Sequence, residues 1–281
     1  MATPTPAKKQ QQDAKITLYW LDKSRAQRIV WLLEELHADY DVEVFYRTKD
    51  FLAPPELEKV HPLGKSPLVS ITPNASAGDA SSPRPTKVLA ESGFITEYLC
   101  EHFGDGTNLV PERWPGGVKG GVCTETEGWM RYQHLLHYAE GSLMPPLLLS
   151  VIMFLMKGPK IPFFVRPITS MVANNIFSMV IFPSLVKHLD FLEDLLKTAP
   201  NGGGYLCGNH LTAVDILLSF PLLSIRERLG NLEIGGAKRP GKVLDNYPVL
   251  WAYVARLEEV DGYKRASAKI EEFEGKGKKQ G

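Results

Sequence analysis

Two short segments of the chain combine residue types that suit the binding of a peptide-like ligand. Residues 61–67 read HPLGKSP and lead into strand-forming residues, so Pro67 stands at the first position of a predicted strand. A proline there is either an edge residue or follows a cis peptide bond. A cis Ser66-Pro67 bond would turn the backbone N–H and C=O of Ser66 outward, free to pair with a bound peptide. An ordinary turn, with Gly64 at a helix end, is the alternative.

The second segment, Glu91-Ser92-Gly93, stands where a predicted strand gives way to a helix. Ser92 is a natural N-cap, and the first N–H groups of a helix have no partner within the helix. A serine hydroxyl and these N–H groups suit a carboxylate, while Glu91 could pair with an adjacent ammonium. The segment therefore suits an amino-acid head group, with a plain helix cap as the alternative.

The elements that would position these segments alternate along the first part of the chain. The run ITLYWL from Ile16 predicts a strand, and apolar residues at three- and four-residue steps predict a helix over about 25–37. A second strand at 41–46 would complete a βαβ unit with parallel strands. A short helix, two strands and a longer helix follow at about 55–60, 67–71, 87–90 and 91–102. The order β-α-β-α-β-β-α predicts an α/β domain over 15–104.

The remainder of the chain contains helical patterns between polar segments. Residues 105–120 form a linker rich in Gly and Pro, and 121–270 are predicted to form an all-helical domain. Residues 1–14 and 271–281 are short and polar, so we expect disordered tails there. Residues 73–86, between the third and fourth strands, are rich in Pro, Ser, Gly and Ala and predict a flexible loop.

Composition and charge narrow the class of protein. The chain has 281 residues, and its 32 Lys and Arg balance its 32 Asp and Glu, so no global basic field favours nucleic acid. Its three cysteines are an odd number without CxxC spacing, which argues against a disulfide framework. The first residues are polar and lack the apolar core of a secretory signal. We therefore expect a cytoplasmic protein with no nucleic-acid partner.

An unusual apolar segment covers residues 143–186. Its only charged residues are Lys157, Lys160 and Arg166, all basic, and helical amphipathic periodicity nearly vanishes. Prolines break it into two runs, neither of which supplies the roughly 20 clean apolar residues that a membrane span needs. A buried helix pair or a dimer surface is favoured over peripheral attachment to a membrane surface, which stays open as the alternative.

Several of these motifs together resemble one known family. WLDKSRAQRIVWLLEEL, APPELEKVHPLGKSPLV, LAESGFITEYL, HYAEGSLMPPLL and YLCGNHLTAVDILLSFPL follow one another as in a cytosolic-type glutathione transferase. The likeness covers about 16–266 and is closest to the fungal and bacterial branch that includes the endoplasmic-reticulum-associated enzyme of yeast. It implies a thioredoxin-like amino-terminal domain that binds glutathione, an all-helical carboxy-terminal domain and a homodimer. It also implies that the cytoplasmic protein could associate with the endoplasmic reticulum membrane.

The resemblance assigns glutathione-binding roles residue by residue. Pro67 matches the family's cis-proline, and Ser66 before it would offer its backbone to the cysteinyl part of glutathione. Glu91 and Ser92 match the acidic-Ser pair that holds the γ-glutamyl group. Lys65, or alternatively His61, lies where the family often places a basic residue against the glycyl carboxylate.

The residue that meets the glutathione sulfur has two candidates. The family places a Ser, Tyr or Cys near the end of the first strand or the start of the first helix. Ser24 stands beside that helix start, where a hydroxyl and the helix terminus would both favour a thiolate. Tyr19, on the first strand, is the alternative. Cys100 and Cys123 lie outside this region, so the sequence predicts no cysteine-type mechanism.

The family's fourth helix lines the electrophile pocket, which makes Tyr138 and Met144 candidate pocket residues. His134, His137 and Glu140 drift off a single helix face, and no metal site is predicted there. Thr212-Ala213-Val214-Asp215 is predicted to be a capping box with a structural role.

The predicted function is a glutathione transferase that adds the glutathione sulfur to a hydrophobic small-molecule electrophile, or that reduces a peroxide. Glutathione would be a co-substrate, with no metal or redox cofactor implied. A non-catalytic relative that carries ligands or assembles with proteins is the alternative, since a fold alone does not determine activity.

Overall fold

The computed structural model describes residues 12–74, 85–234 and 240–278. The chain divides into two compact units, one formed by Met1–Phe103 with Lys264–Gly281 and the other by Gly104–Tyr263. Most of the loop predicted at 73–86 lies outside the described residues, as do the first eleven residues of the predicted amino-terminal tail.

The first unit contains a four-stranded mixed sheet. Its elements are β1 (Ala14–Leu21), α1 (Gln27–Glu35), β2 (Tyr40–Phe45), α2 (Glu56–Val60), β3 (Leu68–Pro73), β4 (Lys87–Ala90) and α3 (Ser92–Phe103). The strand order is β2-β1-β3-β4, with β1 parallel to β2 and antiparallel to β3, and with β3 antiparallel to β4. This confirms the predicted βαβ unit and the thioredoxin-like arrangement that the family resemblance implies.

The alternation of side chains along β1 determines how the sheet is covered. Ile16, Leu18 and Trp20 are wholly buried on one face, because successive strand residues point to opposite faces. On the other face Leu21 packs with Leu57 of α2 and Leu68 of β3. Each such side chain contributes about 1.5–3 kcal/mol when it leaves water, so both faces of the sheet are stabilised by packing.

The end of the chain is helical and packs with the first unit. Helix α11 (Asp261–Lys278) contains residues 271–278, so the predicted disordered tail is wrong there. Phe273 is buried, with its ring centroid 5.4 Å from that of Trp20, and its carbonyl accepts a hydrogen bond from the Tyr46 hydroxyl at 2.7 Å. Residues 264–270, predicted as part of the helical domain, also cluster with the first unit. The burial of Phe273 thus keeps this segment helical although its composition is polar.

A half-buried carboxylate strengthens this attachment of α11. Glu34 of α1 accepts hydrogen bonds from Arg265 and Lys269 of α11, and also from the Tyr40 hydroxyl. Burial pushes the pKa of Glu34 upward, but the hydrogen bonds from Lys269, Tyr40 and Arg265 outweigh it and lower the pKa below its usual value. The carboxylate therefore stays ionised and pairs with two cations.

The second unit is helical. It contains α4 (Glu127–Tyr138), α5 (Met144–Leu155), α6 (Arg166–Ile176), α7 (Phe182–Lys197), α8 (Ala213–Leu229), α9 (Val243–Asn246) and α10 (Pro248–Glu258). Single π-helical turns join α4 to α5 and α6 to α7. The two continuous helices, Glu127–Leu155 and Arg166–Lys197, are by length and composition apolar enough to cross a membrane.

Much of 143–186 is exposed in the single chain, so the predicted buried helix pair is wrong there, whereas a dimer surface and peripheral membrane attachment stay predictions. Several large apolar side chains are exposed in α5, in α6, in the segment between them and in the π-helical turn after α6, with Phe163 at 80% and Met179 at 77%. Without a helical period, the sequence did not separate the buried residues of this segment, such as Leu147 and Met153, from the exposed ones.

The predicted capping box of α8 is confirmed. Thr212 is the N-cap, and the Asp215 carboxylate accepts hydrogen bonds from the backbone and the hydroxyl of Thr212 at 2.7 and 2.6 Å. The same carboxylate also accepts from the Tyr253 hydroxyl at 2.7 Å and from the Leu206 backbone at 3.2 Å. Asp215 is wholly buried, and this burial raises its pKa although the hydrogen bonds oppose the shift. The box thus ties α8 to α10.

Candidate functional site

Strand register brings three chain segments to one end of the sheet in the first unit. Tyr19 of β1 stands opposite Leu68 of β3, and Leu68 stands opposite Ala90 of β4. Adjacent strands lie about 5 Å apart, so the residues that follow β1, precede β3 and follow β4 are neighbours. These residues include Ser24, Ser66-Pro67 and Glu91-Ser92, which the sequence singled out.

The hydroxyl group of Ser24 lies beside that of Ser66. Ser24 is 5% exposed, and the two Oγ atoms are 3.2 Å apart. Ser24 Oγ also accepts the Ala26 N–H at 3.1 Å, and Ser66 Oγ donates to the Tyr19 carbonyl at 3.4 Å. Ala26 is the N-cap of α1, so Ser24 precedes the helix and its O–H proton is not used in capping it.

The hydroxyl of Tyr19, the other candidate for the sulfur partner, is hydrogen-bonded elsewhere. Its OH donates to Ser70 Oγ of β3 at 3.4 Å. Its ring packs on the cluster of Leu21, Leu57 and Leu68, and lies 6.4 Å from the Phe45 ring centroid. Within this unit, Ser24 rather than Tyr19 has its hydroxyl next to the residue before the cis-proline.

The segment around Pro67 has the predicted backbone. The Ser66-Pro67 bond is cis, and Pro67 is buried immediately before β3. Gly64 forms the preceding turn with φ +55°, and a Cβ there would lie 2.8 Å from Glu58 Cγ, so the turn favours glycine. The turn at Gly64 and the cis bond before Pro67, which the sequence offered as alternatives, are therefore both present.

The two candidates for the glycyl carboxylate differ in exposure. Lys65 is exposed, whereas His61 is half-buried at the end of α2. The Nδ1 atom of His61 accepts a hydrogen bond from the Leu63 N–H at 3.3 Å, so this ring nitrogen already has a partner within its own loop. Lys65 therefore has the more accessible charge for a carboxylate.

The segment after β4 holds a strained residue. Glu91 is exposed and has φ +69°, a left-handed conformation that is uncommon outside glycine and that clusters at functional sites. Ser92 follows it as the first residue of α3 and is 4% exposed. The helix therefore begins directly after Glu91, with its positive end at this edge of the sheet.

A buried arginine that the sequence did not single out contacts this segment. Arg28 of α1 is 2% exposed, and its Nη2 donates to Ser92 Oγ at 3.1 Å. Because that nitrogen is the donor, the Ser92 hydroxyl keeps its own proton for another acceptor. Arg25, also basic and three residues earlier, is partly exposed, and periodicity alone does not distinguish the two. Only the packed helix identifies Arg28.

The predicted pocket residues, Tyr138 and Met144, belong to the second unit and are 7% and 9% exposed. The Tyr138 hydroxyl is hydrogen-bonded to His188 Nδ1 at 2.8 Å, and its ring centroid lies 5.2 Å from that of Phe191. Burial raises the pKa of Tyr138 and lowers that of His188, so burial favours the neutral form of both groups. These are contacts of a packed core, and the pocket role stays a prediction.

Two of the three cysteines have thiols that burial makes harder to ionise. Cys100 is buried, and burial together with the nearby Glu97 carboxylate raises its pKa to about 12. Burial, with a contribution from Asp215, also raises the pKa of Cys207, while Cys123 is exposed. Across residues 12–74, 85–234 and 240–278, no group of three or more His, Cys, Asp or Glu could hold a metal ion.

Comparisons with known families match both units of the chain. The family model described as "Glutathione S-transferase, N-terminal domain" matches residues 24–102. The model described as "Glutathione S-transferase, C-terminal domain" matches residues 175–265. The first match contains Ser24, Ser66-Pro67 and Glu91-Ser92.

Two yeast proteins are similar in sequence. Glutathione S-transferase 1 of Saccharomyces cerevisiae is 34% identical over 213 residues, which cover 76% of this chain and 82% of that protein. Glutathione S-transferase 3 of Schizosaccharomyces pombe is 29% identical over 245 residues, covering 87% of this chain and 88% of that protein.

A solved structure is similar in fold. It is a glutathione transferase of Phanerochaete chrysosporium with oxidised glutathione, with a TM-score of 0.62 at 16% identity over 95% of this chain and 99% of that one. At this identity the likeness shows the fold alone.

Proposed function

The chain belongs to the glutathione S-transferase family, and we propose that it transfers the glutathione thiolate to hydrophobic electrophiles. One observation carries the proposal. In the first unit, Ser24 Oγ lies 3.2 Å from the hydroxyl of Ser66, the residue before the cis-proline. A hydroxyl donor thus stands beside the residue that would hold the cysteinyl part of glutathione.

In the proposed reaction the Ser24 hydroxyl donates its proton in a hydrogen bond to the glutathione sulfur. The bound thiol loses its proton to water, and the resulting thiolate attacks an electrophilic carbon, forms the new C–S bond and expels the leaving group with its electron pair. A free thiol with a pKa near 8.5 is only about 3% ionised at pH 7. A hydrogen bond to a charged group contributes about 1.5–3 kcal/mol, which can lower this pKa by about one to two units.

Arg28 would act as a positioning residue for the γ-glutamyl end of glutathione. Its hydrogen bond to Ser92 Oγ fixes the serine oxygen, whose proton then points to the α-carboxylate of the ligand. Its buried positive charge adds to the positive end of α3 at the same place. Glu91, exposed and fixed in a left-handed conformation, would pair with the α-ammonium.

The same thiolate could attack a peroxide oxygen in place of carbon. In that reaction one glutathione forms a sulfenic acid and releases the alcohol, and a second glutathione displaces water to give the disulfide. We propose this as a secondary activity, because it uses the same activated sulfur.

We further propose a homodimer in the cytoplasm. Dimers are typical of the family, and the three free cysteines suit a reducing compartment. Light scattering on the purified chain would test the dimer, with a monomeric mass as the contradicting result.

A thiolate titration tests the proposed function. Purified protein is mixed with glutathione, the thiolate absorption band is followed from pH 5 to 10, and conjugation to chlorodinitrobenzene is measured in parallel. We expect an apparent thiol pKa at least one unit below that of free glutathione, together with turnover. Glutathione binding without a lowered pKa or turnover would favour the non-catalytic alternative, in which the fold carries a ligand.

A further inference from the structure

The second unit exposes a continuous apolar stretch at the turn between two long helices. We use the name apolar hairpin for residues 144–181, which comprise α5, the connection 156–165, and α6 with its following π-helical turn. Large side chains exposed on it include Leu149, Leu155, Phe163, Phe164, Met171 and Met179. Exposed apolar clusters of this kind mark interaction surfaces, because a soluble monomer gains nothing from them.

Internal contacts hold the hairpin in one shape while these side chains stay outside. Thr169 Oγ1 donates to the Met156 carbonyl at 2.9 Å, and the ring centroids of Phe154 and Phe177 are 5.7 Å apart. The exposure of the outer face is therefore not a sign of an unfolded segment. We therefore expect this ordered apolar surface to bind a partner.

The charges on the hairpin identify that partner. Its charged residues are Lys157, Lys160 and Arg166, and no Asp or Glu occurs from Leu143 to Val186. Lys157 donates to the Asn174 side-chain amide oxygen at 2.9 Å, and Arg166 donates to the Ile161 carbonyl at 2.9 Å. Both of these hydrogen-bond acceptors are neutral, so the charges of Lys157 and Arg166 are not neutralised by them. We propose that the apolar hairpin inserts into the surface of a membrane that contains anionic lipids.

A second copy of the chain would fit this surface less well. In a twofold interface the same patch meets itself, so Lys157 and Arg166 of each copy would face the same cations of the other copy. Anionic headgroups supply a partner of opposite charge. Each Lys or Arg close to an anionic bilayer strengthens binding about fivefold, so Lys157 and Arg166 together strengthen it about thirtyfold.

The length of the hairpin favours insertion into one leaflet over crossing. Helix α5 has 12 residues, about 18 Å, and α6 with its π-helical turn is about 24 Å long, whereas the hydrocarbon core is about 30 Å thick. Beyond the hairpin, α4 and α7 have buried faces that include Leu135 and Leu189, which pack within the unit. Only the turn end of the two helices is free to enter lipid.

Flotation with vesicles tests the proposal on the full-length protein. The vesicles are phosphatidylcholine alone, or phosphatidylcholine with one third phosphatidylserine. We expect the protein to float with the anionic vesicles, to float much less with the neutral ones, and to be released from anionic vesicles by high salt.

Two pairs of substitutions separate the apolar and charged contributions. Phe163→Ser with Phe164→Ser should weaken vesicle binding more than tenfold, because both rings are at least 70% exposed and contribute little to folding. Lys157→Gln with Lys160→Gln should weaken binding to anionic vesicles at least about fivefold, through the lost charge of Lys157, and leave binding to neutral vesicles unaffected. Val118→Ser with Val122→Ser is the matched control, since both valines are exposed in the same unit outside the hairpin.

Light scattering on the same variants decides between lipid and a second copy. The proposal is overturned if the protein stays in the unbound fraction with both kinds of vesicle. It is also overturned if the two phenylalanine substitutions convert a dimer into monomers, since the hairpin would then be an interface between copies. Equal flotation with neutral and anionic vesicles would refute the assigned role of the cations. Unchanged thermal unfolding of each variant confirms that folding is intact.

Discussion

Replacing Ser24 by alanine should raise the pKa of enzyme-bound glutathione. The substitution removes a buried hydroxyl that lies 3.2 Å from Ser66 Oγ and that we propose as the donor to the sulfur. A hydrogen bond to an ionised group contributes about 1.5–3 kcal/mol, and one pKa unit corresponds to 1.36 kcal/mol. The thiol pKa in Ser24→Ala should therefore rise by about one to two units.

The pH dependence of catalysis gives the sign of this effect. Because a higher thiol pKa leaves less thiolate at low pH, kcat/KM at pH 6.5 should fall by about 10- to 100-fold. The loss should shrink as the pH rises through the new pKa, where the variant also ionises its thiol. The assay is the thiolate absorption titration, combined with kcat/KM measured from pH 5.5 to 10.

Matched variants separate sulfur activation from local packing. Ser24 Oγ also accepts the Ala26 N–H, so Ser24→Ala should cost about 1 kcal/mol of folding free energy, which urea denaturation would measure. Ser66→Ala removes the neighbouring hydroxyl but keeps the backbone, and Tyr19→Phe removes the hydroxyl that donates to Ser70. Both should leave the thiol pKa within about 0.3 units of the parent. The reasoning would be refuted if the thiol pKa of bound glutathione in Ser24→Ala equalled that of the parent protein, or if it rose only in Tyr19→Phe.

Three further substitutions test other parts of the structure. Arg28→Met should weaken binding of S-methylglutathione about tenfold by calorimetry, with Arg28→Lys less affected; an equal loss for an analogue without the α-carboxylate would contradict the positioning role. Asp215→Ala should lower the free energy of unfolding by about 3 kcal/mol in urea, because it leaves several buried donors unpaired, and Asp215→Asn should lose less. Glu34→Gln should cost about 1 kcal/mol at pH 7 through its lost pairing with Arg265 and Lys269. Since the pKa of Glu34 is lowered in the folded state, this difference is complete above its unfolded pKa near 4.3 and should shrink as the pH falls through the folded value, and a difference that persists at pH 2 would refute the pairing.

The sequence by itself determined the order of elements in the first unit. Alternation along β1 and the helical period of α1 are local patterns that follow from side-chain geometry, so β-α-β-α-β-β-α could be predicted without tertiary information. The capping box at Asp215 was predictable for the same reason, since it rests on a few consecutive residues. The residues around Pro67 left a cis bond and an ordinary turn open, and only the family resemblance favoured the cis bond that the structure has.

Tertiary structure alone decided which of those residues become neighbours. Ser24 and Ser66 are 42 positions apart, and Arg28 and Ser92 are 64 apart, so their hydrogen bonds exist only because strand register and helix packing close long loops. The same holds for the end of the chain, where a polar sequence forms a helix because Phe273 packs against Trp20. In the apolar hairpin the sequence specified apolar residues, and only packing showed which of them remain exposed. Local patterns determine elements, whereas long-range packing determines the site and the surfaces.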